Sequence, residues 1–266
     1  MNKHDSNKKC IHKYLTVCKT NPQPPGFGDF IRGSIALYEL AKEYGYTLYI
    51  DNSHPLFSNL QESPYLIDGN TFHPYYDTIE MIPPMDYDNI YASLISRFQS
   101  GESISLLTNA FYKEITEDCK IFFKSWLKPS LQIHETHTKL LGDTKYPVIH
   151  LRFGDRFIHN NEYDSSLYET YYKRITTLID KSDTTFVLLS DSSQIANKLH
   201  ESIPTLKYWD SNKIHLGDLC SYTGSNNTYD TMVDFFILTK ADKIFSNGSG
   251  FSCYTAFIFD IPYEGI

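Results

Sequence analysis

The sequence predicts an α/β protein built from two Rossmann-like domains. Two observations predict it. Near the amino terminus a strand-like run, a glycine-rich loop and a helix-period stretch return into a second strand. In the second half, short apolar runs alternate repeatedly with helix-period stretches, the pattern of a parallel sheet covered by helices. At 266 residues the chain has room for two such domains, expected at 1–143 and 144–266.

Tyr14-Leu-Thr-Val-Cys18 reads as the first strand, and the breaker cluster Asn21-Pro-Gln-Pro-Pro-Gly-Phe-Gly28 as the loop after it. Ile31, Ile35, Leu37, Tyr38 and Ala41 then mark one helix face, which Gly45 ends before the strand Thr47-Leu-Tyr-Ile50. From Ser53 to Asn109 prolines at 55, 64, 74, 83 and 84 break the pattern, so long loops and short helices are expected. Helical spacing returns between Ile115 and Leu141, interrupted at Pro129. After it come a strand at 148–152, a helix near 166–180, a strand at 185–189, a helix at 192–201 and a strand near 205–208. A helix at 229–240, a strand at 243–245 and an apolar helix from Phe251 to Ile258 complete the alternation.

The bulk properties exclude several functions. A formal charge of −8 with no basic stripe speaks against nucleic acid as a partner. Five scattered cysteines without a C-x-x-C pair suggest neither a zinc site nor a disulfide framework. No apolar run reaches the roughly 18 residues of a membrane span, and Met1 to Lys9 lacks the apolar core of a signal peptide. A cytoplasmic protein without a membrane span is expected, with the sequons at Asn226 and Asn247 unmodified.

Three segments carry chemistry. In His150-Leu-Arg-Phe-Gly-Asp155 an apolar strand stops and polar groups begin, at the carboxyl edge where open parallel sheets bind ligands. Strand alternation puts His150 and Arg152 on one side, and a turn at Gly154 lets Asp155 fold back on them, as a site or as a strand-end ion pair. In Pro25-Gly26-Phe27-Gly28-Asp29-Phe30-Ile31-Arg32-Gly33 a glycine loop opens a helix, an arrangement that favours an anion. Its spacing departs from G-x-G-x-x-G, and no Lys-Ser/Thr follows, so neither a dinucleotide site nor a P-loop is read. In Asp234 through Ser252 an acidic helix leads through a short strand to a small-residue loop whose Ser249, Gly250 and Ser252 offer donors to phosphate. Taken singly, the first segment is readable as a structural Arg152–Asp155 ion pair and the other two as turns.

Together, in this order and spacing, they resemble the fucosyltransferases of the superfamily holding the N-glycan core α1,6-enzymes, the bacterial nodulation-factor enzymes and the protein O-fucosyltransferases. Gly26 to Gly33, continuing to Asp51, is similar to their N-terminal loop, helix and strand; His150 to Asp155 is similar to their H-x-R-x-G-D motif. Leu188-Leu-Ser-Asp191 and Asp234 to Ser252 are similar to their second and third motifs. The resemblance implies a GT-B architecture, two Rossmann-like domains facing a central cleft, with an amino-terminal acceptor-side domain and a carboxyl-terminal donor domain. It implies an inverting transfer of L-fucose from GDP-fucose to a hydroxyl of a glycan or glycoconjugate acceptor. Arg152 would then stabilise the departing diphosphate, as a metal does elsewhere. His150, Arg152, Asp191, Asp234, Ser249, Gly250, Phe251 and Ser252, with Gly26, Phe27 and Gly28, would bind the donor. Gly250 stands where the family often has Ser.

No cofactor and no metal are expected. Asp86-Tyr87-Asp88 is the one D-x-D in the chain, and its place after Pro83-Pro84 reads as a solvated turn. Attack by an acceptor hydroxyl calls for a carboxylate base, with Asp29, Asp155 and Glu162 as candidates and Asp155 better suited to orienting Arg152. The alternatives are the same fold with another nucleotide sugar, or a non-catalytic nucleotide-sugar or glycan-binding module. The early end of the chain after the third motif supports the latter.

Overall fold

The stretch that begins at Phe27 folds as helix α1 (Phe27–Glu43) because its apolar residues recur at three and four positions; Phe30, Ile31, Leu37 and Leu40 are fully buried. Gly45, at φ +73°, takes the left-handed conformation that ends it, and strand β2 (Thr47–Asp51) follows at once. The computed structural model describes residues 8–13, 26–52, 55–68, 77–79, 87–110, 114–154, 157, 163–209 and 227–266. Its described residues form two compact units, Met1–Ser130 and Leu131–Ile266.

In the first unit β2 lies beside β1 (Lys9–His12), in a parallel sheet that also holds β3 (Leu66–Ile67), β4 (Asp77–Ile79) and β5 (Ile104–Thr108), in the order β3-β2-β1-β5-β4. The strand predicted at Tyr14–Cys18 lies outside the described residues. Four residues earlier than that run, Cys10 and Ile11 are buried between β2 and β5, in a strand too short for a periodic signal. The expectation of long loops and short helices from 53 to 109 is corrected. Among its described residues this region holds a 3-10 turn (Pro55–Asn59), three strands and the 13-residue helix α2 (Tyr87–Gln99), which buries Leu94 and Phe98. Helix α3 (Glu117–Trp126) is capped by Thr116, whose hydroxyl accepts from the Cys119 amide at 3.3 Å.

The second unit begins with helix α4 (Leu131–Leu141), earlier than the expected boundary at 143. Pro129 separates α4 from α3, and α4 packs on helix α7 (Asn227–Thr239), to which Thr136 is tied by a hydroxyl contact with Tyr229 at 2.6 Å. The sheet runs β10-β9-β6-β7-β8, all parallel: β6 (Pro147–Leu151), β7 (Val187–Ser190), β8 (Lys207–Tyr208), β9 (Lys243–Ser246) and β10 (Tyr263–Gly265). Helices α5 (Ser165–Ile179), α6 (Ser193–Ser202) and α8 (Gly250–Phe259) complete it. Ile149, Leu151, Leu188, Ile175, Ile195 and Leu199 form its core, and each is removed from solvent. Among the described residues no helix is long and apolar enough to cross a membrane.

Candidate functional site

In the second sheet the chain runs from β6 through β7 to β8 on one side, then returns to β9 on the other side of β6. The loops after β6 and β9 therefore diverge, opening the crevice at which sheets of this kind bind ligands. Arg152, Phe153 and Gly154 leave β6 at this point; Asn247, Gly248 and Ser249 leave β9. Gly154 (φ +107°) and Gly248 (φ +99°) make the two turns in conformations that side chains disfavour.

Asp191, the residue after β7, organises the first loop. Its carboxylate accepts from the main-chain amides of Phe153 at 2.8 Å and Gly154 at 2.9 Å, and pairs with the Arg152 guanidinium. The Asp191 side chain is 9% exposed and that of Arg152 26%, so the pair presents the cation rather than the anion to solvent. The partner expected for Arg152 was Asp155, which lies outside the described residues, as does Glu162. From the other side, Asn247 continues the β6–β9 ladder with its side chain. Its Oδ1 accepts from the Arg152 amide at 2.8 Å, and its Nδ2 donates to the Arg152 carbonyl at 3.0 Å. A glycan on that nitrogen would break this pairing, which adds a physical reason to the reading of the sequon as unmodified.

Helix α8 aims its amino terminus at the same crevice. Ser249 caps it, accepting from the Phe251 amide at 3.3 Å, and Gly250 and Phe251 form its first turn, where amide groups and the helix dipole favour an anion. Ser252 is fully buried, and its hydroxyl contacts Ser246 Oγ at 3.0 Å and the Ser249 carbonyl at 3.2 Å. These contacts tie the start of α8 to the end of β9. His150 is buried at the end of β6 with its ring 5.8 Å from that of Phe251, which in turn meets Phe235 edge-on at 5.7 Å. Asp234, beside Phe235 on α7, is buried too. His150, Arg152, Asp191, Ser249, Gly250 and Phe251 thus share one end of one sheet, and Asp234 lies on the helix that packs against α8.

The first unit has its own switch point, between β1 and β5. Gly26 caps α1 there, followed by Phe27 and Gly28, both buried; Gly26 keeps an ordinary φ of −56°, so neither turn nor strain demands a glycine at that position. Asp29 sits in the first turn of α1, half exposed, with Arg32 at 3.0 Å, and Arg32 Nε donates to the Asn109 carbonyl at 2.7 Å. Gly33 is where α1 crosses the end of β5: an added Cβ would stand 1.9 Å from the Thr108 carbonyl oxygen. Two features went unread in the sequence. Lys13 and Asp51 form a buried ion pair at 3.4 Å just past β1 and at the end of β2. His12, fully buried and stacked on Phe30, contacts Ser34 Oγ at 2.7 Å and the Thr108 carbonyl at 3.0 Å. Burial pulls its pKa down to about 3, against the opposing effect of the Thr108 bond, so the imidazole is neutral. The only legible hint of either was the strand-end position of Asp51.

No protein-family profile and no curated protein sequence matches this chain. Solved structures do match in fold. NodZ α-1,6-fucosyltransferase co-crystallised with GDP aligns with a TM-score of 0.61 at 14% identity, covering 95% of this chain and 92% of that one. The fucosyltransferase NodZ from Bradyrhizobium aligns at 0.62 and 15%, covering 95% and 93%. POFUT1 in complex with GDP-fucose aligns at 0.57 and 12%, covering 98% of both. The chain therefore has the α/β GT-B fold of these fucosyltransferases, as its motifs led us to expect.

Proposed function

We propose that this GT-B protein is a metal-independent inverting glycosyltransferase that moves L-fucose from GDP-fucose to a hydroxyl of a glycan acceptor. The observation that carries the reading is Arg152, clamped at the switch point of the second sheet beside the amino terminus of α8. A diphosphate seated there meets a fixed cation and a row of helix amides. Fold neighbours crystallised with GDP or GDP-fucose support the same ligand class.

In the proposed reaction the acceptor oxygen attacks the anomeric carbon as the bond from that carbon to the β-phosphate oxygen breaks. The electron pair leaves on the diphosphate, where Arg152 and the first amides of α8 offset it, and the acceptor proton passes to a carboxylate. Asp29 or Glu162 is assigned that base role; Arg32 already engages one oxygen of Asp29. His150 and Asp234 are assigned to the base side of the nucleotide, Asp191 to holding Arg152.

Calorimetric titration with GDP-, UDP- and other nucleotide sugars, followed by assays of transfer and donor hydrolysis, tests this. Selective binding of GDP-fucose with turnover supports the proposal. Preference for another donor revises the sugar. Binding without turnover on any acceptor leaves a nucleotide-sugar-binding module and overturns the enzymatic reading.

A further inference from the structure

We infer that Tyr171, on the solvent-facing helix α5, is a positioning residue that sets the geometry of Arg152 through Asn247; the inference rests on the donor-site reading of Arg152. The backbone decides the orientation of the Asn247 amide. Its Oδ1 faces the Arg152 N–H and its Nδ2 faces the Arg152 carbonyl, so no flip of the side chain satisfies both. The remaining hydrogen of Nδ2 points to Tyr171 Oη at 3.2 Å, and the tyrosine oxygen is the acceptor. The same tyrosine ring meets Phe153 edge-on at 5.4 Å, the residue whose amide Asp191 holds.

Arg152 is therefore braced from three elements. Asp191 after β7 takes the guanidinium and the two following amides, Asn247 after β9 takes both polar groups of the Arg152 peptide, and Tyr171 on α5 locks Asn247 and packs on Phe153. Placement of a cation to within a fraction of an ångström depends on such support. Tyr171 touches no reacting atom in this scheme; it acts through Arg152.

The test is a double-mutant cycle on GDP binding by the full chain, with Tyr171→Phe and Arg152→Ala, alone and combined, and melting temperatures recorded alongside. Tyr171→Phe removes one hydroxyl and keeps the ring. It should weaken GDP about three- to tenfold in the presence of Arg152 and change nothing in the Arg152→Ala background. Equal losses in both backgrounds would show a general structural role and overturn the inference. Hydrogen exchange of the peptide spanning Arg152 to Gly154, with nothing bound, is the second arm: exchange there should rise in Tyr171→Phe, and unchanged exchange overturns the inference. If the unaltered chain does not bind GDP, the functional reading fails, and the exchange arm still decides the bracing role.

Discussion

The Asp191 carboxylate holds the Arg152 guanidinium and, through its two oxygens, the amides of Phe153 and Gly154 at 2.8 and 2.9 Å. One side chain just after β7 thus fixes both the charge and the path of the loop leaving β6. Asp191→Asn keeps the volume but removes the ion pair and replaces an acceptor by a donor. Leaving a mostly buried cation and an amide without their acceptor costs about 3 kcal/mol. A lowered melting temperature and GDP affinity reduced at least tenfold are expected by thermal denaturation and calorimetry; a variant equal to the native chain in both would remove Asp191 from the site.

Arg152→Ala should retain the fold and lose transfer by roughly 100- to 1,000-fold, the scale at which removing one preorganised transition-state contact acts. Arg152→Lys should recover only part of it, because an ammonium lacks the planar fork that matches a diphosphate. Steady-state kinetics decide this, and near-normal turnover of Arg152→Ala would sink the assignment. Excess chelator should leave the native rate unchanged; a strict Mn²⁺ requirement would contradict metal-independent transfer.

Gly33→Ala should destabilise the first unit by about 3 kcal/mol, since its Cβ would overlap the backbone carbonyl of Thr108 and α1 has no flexible side chain there to yield. Gly45→Ala is the comparison. An added Cβ meets nothing within 4 Å and only the positive φ opposes it, at about 1 kcal/mol. Chemical denaturation of both variants checks the ranking, and equal costs would refute the close crossing of α1 and β5.

His12 gives stability a pH dependence whose sign follows from its lowered pKa. The unfolded chain protonates this imidazole below its ordinary value near 6.5, whereas the folded chain resists until about 3. The contribution is present in full above pH 6.5 and is lost as pH falls through the window to 3. His12→Gln should lower stability at neutral pH and flatten the loss between pH 6.5 and 4, measured by denaturation at several pH values. A slope in that window identical to that of the native chain would contradict the assignment.

Much of this architecture is legible in the sequence because it is written locally. The helix face of α1, the apolar run of β6 and the Gly/Ser loop before α8 each carry their signal within a dozen residues. The strands β3 and β4 do not, being two and three residues long and held by neighbours rather than by propensity. Ser252 shows the same limit at the site: composition marks a hydroxyl in a small-residue loop, but only the start of α8 decides that it points inward to Ser246.

The motif His150-Leu-Arg-Phe-Gly-Asp155 returns to the same distinction. By itself the sequence determined that a cation follows a strand at the edge where parallel sheets bind ligands, and that a glycine turns the chain after it. Which groups hold that cation was decided by the tertiary structure alone. Asp191 stands 39 residues away and Asn247 95, and they meet Arg152 because β7 and β9 flank β6 in the sheet. Strand order is a property of long-range pairing, and no local spacing encodes it.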